Sequence, residues 1–250
     1  MKIEIGESLA LSYLKHVKKC VLYQNNWKIS SKWRESDKGN NNKNITLEEK
    51  IFNEIKTRFN GVFKSSFNQT IKQAEIDALG MDKEGKIYAI DIAYHEKGLS
   101  YDKDNNVTKN KMIKKLLRSY LILLSYFPDR DYEIIFASPK VREATESVII
   151  QSFNELNTFF DNNVELQNKV KLKNNVEFKY ISNDDFKDEI LDKTIKASES
   201  DSDTNELFMR SYKLLELFDR VSNIAKEEID LDKEIPPTAS LVLEFKPSDE

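Results

Sequence analysis

Residues 74–98, AEIDALGMDKEGKIYAIDIAYHEKG, carry two runs of apolar residues separated by a short polar turn. The pattern predicts a β-hairpin with arms Glu75–Met81 and Lys86–Tyr94 and a turn at Asp82–Gly85, where glycine supplies the positive φ that a tight turn needs. Each arm contains one carboxylate where a strand core calls for valine or isoleucine: Asp77 in EIDALG and Asp91 in AIDIA. An ionised carboxylate in such a setting costs several kcal/mol unless a cation or a partner compensates it. Side chains alternate faces along a strand, so Glu75 and Asp77 share one face, and Asp91, Ala93 and His95 share another set. With this register Asp77 and Asp91 converge.

Working outward, GESLALSYLKHVKKC predicts a helix from about Glu7 to Lys18, and VLYQNNWK a first strand. Residues 29–73 form an insertion before the hairpin. It opens with a polar stretch tipped by KGNNNKN and continues as an amphipathic helix, TLEEKIFNEIKTRF, with Thr46 as N-cap and Glu49 at the capping-box spacing. After the hairpin come a polar loop, SYDKDNNVT, and a helix from about Lys109 to Tyr126. Lys111, Lys115 and Arg118 fall at i, i+4 and i+7 of this helix, giving it a basic stripe. YEIIFASP predicts a strand, VREATESVIIQSFNELNTFF a long helix, VEFKYIS a strand and DDFKDEIL a short helix. A linker-like KASESDSDTNE, an apolar helix NELFMRSYKLLELFDRV and a late strand ASLVLEF follow. The order predicts an α/β layered domain over residues 1–197, with residues 198–250 as a C-terminal α+β extension packed on it.

The 250 residues suffice for one substantial core, and a formal charge of −4 confines any nucleic-acid binding to a local basic patch. Cys20 is the sole cysteine and His16 and His95 the only histidines, which excludes a disulfide framework and cysteine- or histidine-rich metal chemistry. MKIEIGES lacks the apolar core of a signal peptide, and the apolar LLRSYLILLSYF is short and carries Arg118, so the expected location is cytoplasmic, without a membrane. No glycine-rich phosphate loop is present, which argues against a P-loop nucleotide hydrolase.

Two carboxylates on adjacent strands, with an acid on the preceding helix, make an all-oxygen site of the kind that holds Mg²⁺ or Mn²⁺. Such an ion lowers the pKa of bound water and stabilises phosphoryl charge, which predicts a metal-dependent phosphodiester hydrolase. Glu75 is a second candidate ligand on the face of Asp77. Trp27 and Trp33 lie among Lys28, Lys32 and Arg34, a cluster able to stack on bases, although Trp27 also suits core packing.

The succession of Glu7 in GESLALSYL, Asp77 in EIDALG and Asp91 in AIDIA, followed by a basic helix and the strand EIIFAS, resembles the PD-(D/E)XK nuclease superfamily over roughly residues 5–140. The resemblance implies a restriction-endonuclease-like αβββαβ core, a mixed central sheet flanked by helices. It also implies metal ligands Asp77, Asp91 and Glu7, and DNA rather than RNA as substrate, in restriction, phage defence or recombination. A homodimer or a partner subunit is the accompanying expectation. One position departs from the family pattern: Asp91-Ile92-Ala93 has alanine where the D/E-X-K tripeptide has lysine. Lys111 and Lys115 on the following helix, and His95 two residues beyond Ala93, are the candidates to replace it. The competing expectation is a catalytically degenerate nuclease-fold subunit that binds nucleic acid or a partner protein. The helix NELFMRSYKLLELF is then a place for that partner or a second protomer to dock.

Overall fold

The structure, a computed structural model, describes residues 5–30, 46–94, 98–99, 102–162, 175–199 and 206–217. His95, Trp33, Lys32, Arg34, the KGNNNKN tip and the late strand ASLVLEF lie outside the described residues.

The chain forms an α/β fold around one five-stranded mixed sheet. In chain order the elements are α1 (Ile5–His16), β1 (Leu22–Lys28), α2 (Leu47–Arg58), α3 (Phe67–Lys72), β2 (Glu75–Met81), β3 (Ile87–Ile92), α4 (Asn105–Tyr126), β4 (Tyr132–Ser138), α5 (Glu143–Asn162) and β5 (Val176–Ser182). A helical run follows β5 through Asn183–Asp185, Phe186–Asp192 and Lys193–Glu199, with π-helical hydrogen bonding in its middle part. Strand order equals chain order. β1, β2 and β3 form an antiparallel meander, whereas β4 and β5 are added in parallel by way of α4 and α5. Parallel strands need a long crossover, and the two long helices supply it.

The burial of each strand follows its position. β3 and β4 are buried along their whole length, as near-continuous apolar strands covered on both faces must be, whereas the edge strand β1 is largely exposed. On one face α2 to α5 pack a core that includes Ile55, Leu79, Ala89, Leu116, Tyr120, Ile134 and Phe136. On the other, α1 and the run after β5 pack Leu9, Leu14, Ala78, Ile90, Ile135, Ile181 and Phe186. The approach of α1 and the turn after it to β2 depends on Gly80, because a Cβ there would come within 2.7 Å of Cys20 Sγ and 3.2 Å of Leu14 Cδ1.

Local rules act where expected. The hairpin closes at Asp82–Gly85 with Gly85 at φ 88°, and Asp82 Oδ1 accepts from the backbone N–H groups of Glu84 and Lys86. Thr46 caps α2 by accepting from Glu49 N, and Ser66 caps α3 in the same way from Gln69 N. Helix α4 begins at Asn105 with Asp104 as cap, so it takes four residues from the polar stretch assigned to a loop.

Two compact units divide the chain at Met209 and Arg210. In the first, Glu206 is buried, its carboxylate 2.9 Å from Lys15 Nζ, and Phe208 N donates to Ser8 Oγ at 2.9 Å. Of the second, residues 210–217 are described and are helical. Among the described residues no helix is long and apolar enough to cross a membrane.

Candidate active site

The β2–β3 register pairs Ala78 with Ile90 as its last rung, and one step further brings Asp77 opposite Asp91. Both lie on the sheet face covered by α4. Asp77 fastens the end of the ladder itself, because its Oδ2 accepts from Ile92 N at 2.9 Å. A carboxylate held by a backbone N–H has its second oxygen aimed by the fold rather than by solvent. On the other side of Asp77, β1 pairs Asn25 with Ala78 and Trp27 with Ile76 but skips Asn26, whose φ of 51° is in the left-handed region.

Asp91 is 3 % exposed, and neither of its oxygens has an aligned hydrogen-bond donor. Lys115, reaching down from α4, places Nζ 2.6 Å from Asp91 Oδ1 and 3.8 Å from Asp77 Oδ2, an ion-pair contact off the hydrogen-bonding direction. The ammonium lies 5.7 Å from the ring centre of Phe136, the residue beside Asp91 on β4. Burial pushes the Asp91 carboxyl up; Lys115 pulls it back and Asp77 adds to the rise, leaving it at about 7 against an ordinary 3.8. Near neutral pH the Asp91 carboxyl therefore takes up or gives up a proton.

These residues line the floor of an open depression of about 440 Å³, whose walls are Gln73, Glu75, Lys111, Lys114 and Arg118. Four cations and three carboxylates thus face one space. Glu75 is engaged by Lys28 at 3.0 Å, and Lys111 lies 3.6 Å from Asp102. Arg118 Nη2 donates to Gln73 Oε1 at 3.1 Å.

Asp77, Asp91, Lys111 and Lys115 line the same depression. Glu7 is not in the depression: it sits at the start of α1 and accepts from Asn26 Nδ2 at 2.7 Å. Among the described residues no group of three or more histidine, cysteine or acidic side chains is placed to share one metal ion, so the acids that meet are the pair Asp77 and Asp91. Two wall residues were missed from the sequence. Lys114 completes the i, i+3, i+4, i+7 pattern of Lys111, Lys115 and Arg118, a signal that was present; Gln73, in the turn after the short α3, had none.

Comparison with family models, with curated proteins and with solved structures yields no match.

Proposed function

We propose that the chain is a metal-dependent nuclease that hydrolyses DNA phosphodiester bonds, built on a restriction-endonuclease-like core. The observation that carries this reading is the Asp77–Asp91 pair on adjacent strands with Lys115 against it. The donor set fits a hard divalent cation. Mg²⁺ is commonly held by one or two carboxylates with water completing its shell, and both Asp91 oxygens are buried without an aligned donor.

Asp77 and Asp91 would hold Mg²⁺ or Mn²⁺, with Glu7 outside the set. The ion would supply Lewis-acid stabilisation of phosphoryl charge and a more acidic water. Lys115 takes the part of the lysine that position 93 lacks: it is a cation at the acid pair, held over Phe136, that can turn toward developing negative charge. Asp91 would bind the ion as its carboxylate, giving up the proton that burial favours. The small Ala93, 8 % exposed, leaves the position of the usual lysine filled by packing alone.

Incubation of the protein with supercoiled plasmid, single-stranded DNA and RNA, with Mg²⁺ or Mn²⁺, tests the reading. Ion-dependent cutting of DNA that is lost in Asp77→Asn, together with Mn²⁺ anomalous density between Asp77 and Asp91, is the expected result. Neither cutting nor density would leave the second reading, a degenerate nuclease-fold subunit that binds a partner. Alanine at position 93 and the engagement of Glu7 by Asn26 favour that alternative.

A further inference from the structure

The charges in the depression do not balance locally. Lys115 answers the acid pair, Lys28 answers Glu75 and Asp102 lies beside Lys111. Lys114 and Arg118 remain, and among the described residues neither has a carboxylate partner. They sit four residues apart on one helix, the spacing at which like charges repel. Lys64, in the segment after α2, is near enough to add to the effect. Burial, then Arg118, then Lys64 hold the Lys114 ammonium below the usual lysine range, and burial alone lowers Arg118. Among the described residues the fully buried Arg118 Nε has no acceptor, and the guanidinium meets the neutral amide oxygen of Gln73 alone. A wall that places an ammonium and a guanidinium side by side, with no carboxylate at ion-pair distance from either among the described residues, is complementary to an anion.

The Arg118 backbone lies about 4.5 Å beyond Lys115 along the helix axis, at 1.5 Å per residue, and among the described residues Lys115, not Lys114 or Arg118, makes the ion-pair contacts with Asp77 and Asp91. We infer that Lys114 and Arg118, with Gln73, form a second phosphate site, which holds the backbone phosphate neighbouring the one that is cleaved. This inference rests on the nuclease reading above and assigns its substrate contact. A guanidinium fork suits two phosphate oxygens, and Lys114 adds a point charge. Lys111, facing Asp102, is not part of this site.

Fluorescence anisotropy of a short labelled DNA duplex and of its single strand, with Ca²⁺ in place of Mg²⁺ to prevent cutting, provides the test. The Lys114→Gln/Arg118→Gln variant is expected to bind about tenfold more weakly at moderate salt. Its slope of log affinity against log salt should be shallower by about 1 to 2, the change due to losing two phosphate contacts. If the double variant does not fold, Lys114→Gln alone gives the same comparison with half the change in slope. Unchanged affinity and slope would overturn the second site while leaving the nuclease reading intact. Phosphorus NMR line broadening with inorganic phosphate covers the remaining case. If the protein binds no nucleic acid but still broadens phosphate through Lys114 and Arg118, the anion site stands for a free phosphate and the nuclease reading falls. If it does neither, both fall.

Discussion

Asp91 on β3 and Glu133 on β4 are buried carboxylates on neighbouring strands, and the fold treats them in opposite ways. Glu133 faces the α1 side, where Lys18 and Lys86 reach its two oxygens at 2.7 and 2.8 Å and Lys179 comes to 3.3 Å. Burial raises its pKa, but hydrogen bonds and charge from Lys18 and Lys86 outweigh that and hold it at about 2. Asp91 has one lysine, out of hydrogen-bond line, and a second acid opposite, and its carboxyl rises to about 7. A carboxylate that serves the structure is fully answered by its neighbours. One with a single lysine and a second acid opposite is left with capacity to spare, and the molecule contains both within one sheet.

The widest gap between the two should appear in activity. Asp91→Asn is expected to lower metal-dependent cutting by at least about a hundredfold, whereas Glu133→Gln, assayed well below its unfolding temperature, should change it by less than about threefold. Cutting rates on plasmid, with folding checked by circular dichroism, measure both. Comparable losses would erase the distinction between ligand site and structural ion pair.

Stability should rank them the other way. Glu133→Gln leaves three lysines around a neutral amide and is expected to cost about 2 kcal/mol. The full penalty of a broken buried pair is discounted because those lysines can turn to solvent. At pH 8, Asp91→Asn removes an ill-compensated charge and is expected to gain about 1 kcal/mol. Urea unfolding of both variants provides the values, and a loss at Asp91 equal to that at Glu133 would mean that Lys115 compensates Asp91 fully.

The pH dependences should have opposite signs. Glu133 has a folded pKa below its ordinary 4.5, so its contribution is present above that value and is lost as pH falls toward about 2. Asp91 has a folded pKa above its ordinary 3.8, so its contribution is greatest below that value and is lost as pH rises to about 7. Unfolding curves from pH 3 to pH 8, for the unmodified protein and each variant, should show a falling component that Asp91→Asn removes and a rising acid-side component that Glu133→Gln removes. The smallest effect concerns Lys115. Lys115→Met removes the group that pulls Asp91 down, and the Asp91 midpoint, followed by carbon NMR of the carboxyl, should move upward by about one pH unit. A midpoint that stays put would assign the coupling to another cation.

The hairpin and its acid pair were legible because everything that specifies them is local. Alternation marks the faces, Gly85 marks the turn, and the two together set the register that makes Asp77 face Asp91. Thr46 with Glu49 marked the start of α2 for the same reason. What escaped is non-local. Glu133 gave no sign within EIIFAS that Lys18, Lys86 and Lys179 would converge on it from the end of α1, the start of β3 and β5. α3 is only six residues long and too short to show a period. Glu7 illustrates a limit of position alone: a helix-start acid can be taken up by a neighbouring strand, here by Asn26, whatever its sequence order implies.

The meander that brings Asp77 and Asp91 together has a kinetic side. Both acids lie in one hairpin, fourteen residues apart, whereas Lys115 arrives only when the α4 crossover docks. Short loops close ahead of long ones, so the hairpin forms with its carboxylates facing each other before their cation is present. Each proton taken up by the pair removes repulsion at that step. The chain should accordingly fold faster as pH is lowered toward the ordinary carboxylate range, because α4 has not yet buried Asp91 at that step, and the pair that lies together in the native fold acts as a brake on reaching it.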